Sequence, residues 1–303
     1  MAGGPTRLVD LRRECGSPAQ TTLRAHLREL EDLGAIAKQR RNRFPGALEY
    51  ELQPPGIELL FVLEVLERWL EQAPEGPLEF GSRGAKAATK ALVEAWSSTM
   101  LRALAARPLS LTELDGVISG LNYPSLERRL AAMRLAGQVV ACADQSNGTP
   151  YRVTEWLRMG IAPLAAAARW ERRHAPDSSA AIARVDAEAA FLLTLPLVHL
   201  PAELSGSCRM GVEMRNGDER RLVGATAKVE QGKIAFCTVR LLGDADAWAT
   251  GSVMGWLHAV TGADTDGLQL GGDQHLVRMV IEGLHKVLFR SVVQNGPLLP
   301  DRI

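Results

Sequence analysis

Displaced by 103 residues, the chain falls on itself. "GPTRLVDL" (4–11) meets "RPLSLTEL" (107–114), and Leu23, Leu27, Leu30, Gly34 and Ile36 meet Leu126, Leu130, Met133, Gly137 and Val139. Beyond these the displacement is 101: Tyr50 meets Tyr151, Leu52 meets Val153, and "RW" at 68–69 meets "RW" at 169–170. A change of length between matched flanks belongs in a surface loop, where it costs little. The repeat therefore predicts two copies of one small unit. A chain of 303 residues has room for two or three domains.

Each copy has the same grammar. A short helix (6–14 or 110–118) leads to a turn at Gly16–Pro18 or Asn122–Pro124. A second helix carries apolar residues at 23, 27 and 30, or at 126, 130 and 133, which is one helical face. Gly34 and Gly137 stand where a helix stop is expected. Two short strands (35–40 and 47–52, or 138–143 and 149–153) flank a polar tip, and a long helix (55–72 or 155–173) closes the copy. Helix–turn–helix followed by a β-hairpin is the winged-helix plan. A helix over 87–106 opens the second copy and has no counterpart in the first. Two explanations stay open: a start further upstream, or a first core completed in another way.

The expected organisation is a first winged helix over 1–73, a Gly/Pro-rich linker over 74–86, a second winged helix over 87–174, and a different unit over 182–292. In that last unit, strand-like segments at 207–214, 221–229 and 233–240 are separated by turns at Asn216–Gly217 and Gln231–Gly232. Helices follow near 246–261 and 273–290, with Asp246 and Asp273 as expected N-caps. The fold class is α+β.

The first copy resembles the HxlR-type (MarR-like) winged-helix regulators, through "LVDLRRECGSPAQTTLRAHLRELEDLGAIAKQ" and "EYELQPPGIELLFVLEVLERW". The second copy is similar to the same family through "WSSTMLRALAARPLSLTEL" and "LERRLAAMRLAGQV", and departs from it at "YRVTEWLRMG". The last unit resembles the sterol-carrier-protein-type lipid-binding domains, through "ATAKVEQGKIAFCTVRLLGDADAWATGSVMGWLHAVTG" and "GLQLGGDQHLVRMVIEGLHKVLF". These resemblances imply DNA binding by a protein that pairs its copies, as an internal pseudo-dimer or a homodimer. They also imply an apolar cavity for a hydrophobic small molecule.

The two copies differ in charge. On the second helix of the first copy, Thr21, Thr22, Arg24 and Arg28 lie away from the apolar face. Arg can bond a guanine edge in bidentate fashion, and Thr can touch a thymine methyl. The tip "KQRRNRF" (38–44) adds Lys38, Arg40, Arg41 and Arg43 for backbone phosphate. An ordinary solvated helix and a charged loop would read the same way in isolation. The same positions in the second copy are Pro124, Glu127 and Ala131 on the helix, and Ala141, Ala143, Asp144 and Ser146 at the tip. The apolar scaffold is kept and the phosphate-binding side chains are replaced, so the second copy is expected to be degenerate for DNA.

In the last unit, Phe191, Leu195, Trp248, Met254, Trp256 and Met279 are the expected ligand-binding residues, with an ordinary core as the competing reading. No catalytic constellation, metal-ligand spacing or cofactor motif is apparent: His199, His258, His275 and His285 are scattered, and so are Cys15, Cys142, Cys208 and Cys237. Scattered cysteines and the lack of a leader-like or ~20-residue apolar segment lead to the expectation of a cytoplasmic protein without a membrane partner. Formal net charge is zero, so DNA must be met by a local patch. The functional expectation is a non-enzymatic, ligand-responsive transcriptional regulator, read as a repressor, with operator DNA and a hydrophobic effector as partners. The alternative is a carrier or self-resistance protein that sequesters a hydrophobic compound and has lost DNA binding. A DNA-repair enzyme is a third class, and no motif for it is present.

Overall fold

The computed structural model describes residues 4–40, 48–143, 148–175, 186–216, 219–241 and 243–293. The N-terminal module runs β1 (Thr6–Arg7), α1 (Leu8–Glu14), α2 (Gln20–Asp32), β2 (Ile36–Arg40), β3 (Leu48–Leu52) and α3 (Pro54–Glu71). Its strands form an antiparallel sheet in the order β1-β3-β2. The core is small: Leu11, Leu23, Leu27, Ile36 and Tyr50 are buried together. Gly34 ends α2 at φ +67°, as its place in the sequence predicts. Gly56 sits so close to Ala35 that an added Cβ would lie 2.0 Å from the Ala35 carbonyl oxygen. Only glycine lets the first turn of α3 rest on the hairpin there.

The next segment runs α4 (Arg83–Ser97), α5 (Met100–Ala106), α6 (Leu111–Val117), α7 (Tyr123–Leu135), β4 (Val139–Ala141), β5 (Tyr151–Val153), α8 (Glu155–Met159) and α9 (Ile161–His174). Its hairpin has the register of the first: Ile36 faces Leu52 where Val139 faces Val153, and Lys38 faces Tyr50 where Ala141 faces Tyr151. Thr6 pairs with Tyr50, and Leu109 bridges to Tyr151. These are the pairs that displacements of 103 and 101 residues connect.

Several expectations need correction. The helix expected over 87–106 starts earlier, at Arg83, where Ser82 Oγ accepts from the Ala85 N–H. It also breaks at Ser98–Thr99, with Thr99 at φ +60°. The helix expected over 155–173 is two helices that meet at Gly160. A Cβ at Gly160 would lie 2.9 Å from the Leu157 oxygen, and Pro163 inside α9 has no N–H to continue the ladder.

The C-terminal unit comprises α10 (Ala187–Thr194), a 3-10 turn (Leu195–Leu197), β6 (Gly206–Asn216), β7 (Glu219–Glu230), β8 (Lys233–Thr238), β9 (Ala247–Ser252), α11 (Val253–Gly262), β10 (Leu268–Gly272) and α12 (Gln274–Val293). The sheet order is β10-β9-β6-β7-β8, antiparallel except for the parallel β6–β9 pair. Cys208, Met210, Val212, Ala225, Ala227, Ala247 and Ala249 are buried on the sheet in one cluster with residues of α10, α11 and α12. Asp273 caps α12 through the His275 and Leu276 N–H groups, as expected. Asp246 caps no helix. The residues after it form β9, and Ser252 caps α11. Asp246 instead accepts from the N–H and hydroxyl of Ser207, at 2.7 and 2.8 Å.

The modules share their interiors. Val65, Trp69 and Leu70 of α3 are buried in the same core as α4, α5, α7 and α8, and Ala189, Leu193, Leu288 and Phe289 of the C-terminal unit join it. Helices α3 and α9 pack antiparallel. The Trp170 indole donates to the Pro55 oxygen at one end (2.7 Å), and Trp69 stacks on Trp156, just before α9, at the other. On α3, Leu63 is 39% exposed, and Val65, 2% exposed, takes the interior place.

Candidate functional site: a basic helix face and an apolar cavity

Helix α2 turns Leu23 and Leu27 into the core and leaves Thr21, Thr22, Arg24 and Arg28 exposed. Lys38 and Arg40 are exposed on one face of β2, two residues apart. Gln39, between them, donates to Glu51 on β3 at 2.9 Å. Arg41 and Arg43 lie outside the described residues. Among the described residues, Arg24, Arg28, Lys38 and Arg40 form no ion pair, so their charge is available to a phosphate. No side chain caps the start of α2 at Ala19, which leaves its first N–H groups open. Gln20, the exposed first residue of α2, stands four positions before Arg24 and belongs to the same face. The sequence reading left it out, although its i, i+4 relation to Arg24 was an available signal.

The matching helix of the second segment is built differently. Asn122 caps α7 by accepting from the Ser125 N–H, and Pro124 lacks one N–H altogether. Arg129 is engaged at the Glu94 carbonyl (3.0 Å), which leaves Glu127 and Arg128 exposed on that face.

Residues 1–76 match the model of the HxlR-like helix-turn-helix family. This part of the chain is similar to an HxlR-like helix-turn-helix domain. No curated protein and no solved structure matches the chain. An HxlR-like helix-turn-helix is the module of a DNA-binding transcriptional regulator.

A cavity lies where the C-terminal unit meets the helices that hold the HxlR-like domain. Its walls are Trp96 of α4, Leu164 and Ala165 of α9, Ala190, Phe191 and Thr194 of α10, Val212 of β6, Trp256 of α11 and Leu288 of α12, with further apolar neighbours. About 80 Å³ of the cavity is wide enough for the centre of a water molecule. The lining is hydrocarbon almost throughout. Phe191 meets Trp256 edge-on, with ring centroids 5.1 Å apart, and the Trp256 indole donates to the Gly211 oxygen at 2.7 Å.

Of the residues expected to bind ligand, Phe191 and Trp256 line this cavity, and Leu195, Trp248, Met254 and Met279 do not. Strand alternation explains Trp248: Ala247 and Ala249 face inward, so Trp248 lies on the other sheet face, over Gly271. On α12, the buried positions 276, 277, 280, 281 and 284 leave Met279 on a flank. Leu195 is fully buried in the sheet core, and Met254 is a half-buried residue at that core's edge. Trp96, Leu164 and Ala165 were missed because they belong to the second copy, which the sequence reading kept apart from the ligand unit.

Two basic residues clamp the cavity wall α10. Arg102 of α5 pairs with Glu188, and Arg158 of α8 donates to the Leu192 and Leu193 carbonyls at 3.1 and 3.0 Å. Burial lowers the Arg158 pKa from its ordinary value, and Glu155 opposes that shift. Burial pushes the Cys208 thiol up to about 12 and Cys237 up to about 11, which leaves both protonated and unreactive near neutrality. Among the described residues no cluster of His, Cys, Asp and Glu could hold a metal ion, and no helix is long and apolar enough to cross a membrane.

Proposed function

We propose that the chain is a ligand-responsive repressor. Its HxlR-like domain binds operator DNA through α2, with Thr21, Thr22, Arg24 and Arg28, and through the hairpin tip, with Lys38, Arg40, Arg41 and Arg43. The second segment is a degenerate winged helix that serves as a built-in partner for the first. The matched hairpin registers and the α3–α9 packing support this reading of an internal pseudo-dimer. The C-terminal unit is the sensor, of sterol-carrier-like type, and takes a hydrophobic small molecule.

The observation that carries the proposal is the position of the cavity. Its walls include α9, and α9 packs along α3, the closing helix of the HxlR-like domain. A slim cavity must widen to admit a ligand of ordinary size, and widening moves α9 and α10 against α11 and α12. Such a ligand has different affinities for the two arrangements, which is what a shift in DNA affinity requires. A coupling of about 1–3 kcal/mol corresponds to a 5–150-fold change.

The test is fluorescence anisotropy of the full-length protein on the DNA flanking its own gene, with and without an apolar extract of the producing cell. Saturable binding weakened by the extract supports the regulator. Ligand uptake by a protein that ignores this DNA at low salt would establish the carrier alternative instead.

A further inference from the structure

Among the residues that line the cavity, one buried hydrogen-bond donor is unanswered. Trp96 is nine-tenths buried in the wall, and its indole Nε1–H has no partner among the described residues. The other indole of the wall, on Trp256, is already bonded to the Gly211 oxygen. The polar side chain opposite in character is Thr194, whose hydroxyl donates to the Ala190 oxygen at 2.7 Å and so retains only its lone pairs. No charged side chain contributes to the described lining.

We infer that the ligand is a neutral, largely apolar molecule with one hydrogen-bond acceptor, a carbonyl or ether oxygen, placed against the Trp96 indole N–H. This rests on the sensor reading of the cavity and adds the chemistry of what it selects. The argument is one of satisfaction. A buried N–H without a partner is costly, and an apolar void of this kind does not hold water, which needs two or more polar partners. A ligand acceptor supplies the missing bond in a medium where such a bond is strong. A carboxylate or an ammonium would leave water for a wall with no counter-charge and is rejected. Neutral ketones, lactones and quinone-like molecules belong to the accepted class. Free fatty acids and amines do not.

The experiment uses three probes of one shape on the full-length protein: 2-acetylnaphthalene, 2-ethylnaphthalene and 2-naphthoate at neutral pH. Binding is followed by calorimetry and by the indole N–H signals of protein labelled with 15N-tryptophan. The ketone is expected to bind about tenfold more tightly than the hydrocarbon, and naphthoate not measurably. The ketone should move the Trp96 indole N–H signal, assigned by its loss in Trp96→Phe, further downfield than the ring-current shift that the hydrocarbon produces. In that variant the ketone and the hydrocarbon should bind alike. The signal shift in the unaltered protein keeps the test valid even if Trp96→Phe folds poorly. Equal binding of ketone and hydrocarbon, with the same Trp96 shift from both, overturns the role of Trp96 and leaves the cavity as a ligand site. Failure of both neutral probes to bind overturns the sensor reading and this inference with it.

Discussion

Trp69 and Trp156 hold each other by a reciprocal exchange. The Trp69 indole donates to the Trp156 carbonyl at 2.8 Å, the Trp156 indole donates to the Trp69 carbonyl at 2.6 Å, and the rings stack 4.4 Å apart at 4°. One residue closes the HxlR-like domain and the other opens the helix pair of the second segment, so the exchange fastens the two. Replacing Trp156 with Phe keeps the stacking area and removes one donor, which leaves the Trp69 carbonyl without that partner. The expected loss is about 1–3 kcal/mol of unfolding free energy. A double-mutant cycle with Trp69→Phe should show coupling of about 0.5–3 kcal/mol in denaturant melts. Additive losses would mean that the two indoles do not act as a unit.

DNA affinity should depend on the first hairpin and helix alone. Replacing Lys38 and Arg40 with Ala should flatten the slope of log K against log salt by up to ~1.8 units. Arg24→Ala should cost about 1–3 kcal/mol on the preferred sequence and less on others, if it reads a base. Arg128→Ala should change neither. Equal losses at Arg128 and Arg24 in anisotropy titrations would contradict the degeneracy of the second segment.

The packing of α3 distinguishes two neighbouring leucine-like positions. Val65→Asp places a charge in the shared core and should destabilise by about 3–5 kcal/mol or prevent folding. Leu63→Asp, on the exposed side, should stay within about 0.5 kcal/mol in the same thermal melts. Comparable losses would place Leu63 inside an interface.

The repeat made the N-terminal half legible. Apolar positions 23, 27 and 30 and their partners at 126, 130 and 133 reveal helices because their spacing is local, and Gly34 and Gly137 reveal stops because positive φ is a local demand. The break at Thr99 was not legible, since both flanks remain good helix, whereas the one at Gly160 had local signals in Gly160 and Pro163 that the helical pattern of 155–173 outweighed. Residues 246–261 misled because "DAWATGS" begins with a helix-cap residue, while its pairing with β6 and β10 is long-range. The cavity was half legible. Phe191 and Trp256 declare large apolar surface, but which units they face is a fact of tertiary packing that no local pattern encodes.

Acid should loosen the start of α6. The Glu113 carboxyl, held by the Ser110 backbone N–H and by Arg107, is lowered from 4.5 to about 2. A lowered carboxylate contributes stability that is complete above its unfolded value and is lost as pH falls toward its folded one. The capping box should therefore weaken between about pH 4.5 and 2, and Glu113→Gln should remove this part of the pH dependence. Amide exchange at the first turn of α6 would report it. An unaltered profile in the variant would show that the box carries none of the acid response.

Filling the cavity tests the coupling itself. Ala190 faces the void from α10, and its neighbours there are apolar. Ala190→Leu adds methylene volume where atoms are missing, so it should be neutral or cost no more than about 1–3 kcal/mol through overpacking. It occupies the space a ligand needs while leaving α2 and the hairpin untouched. DNA affinity without effector should therefore equal that of the unaltered protein, and the effector-dependent weakening, about 5–150-fold at the coupling proposed, should disappear. The clamp on α10 supplies the complementary variant. Arg158→Met removes the bonds to the Leu192 and Leu193 carbonyls and frees the wall to move, so the same effector should bind more tightly while producing a smaller change in DNA affinity. The two variants pull ligand affinity in opposite directions through one helix. If the filled variant still releases DNA on addition of effector, the effector acts from another site and the cavity between α9 and α11 is no sensor.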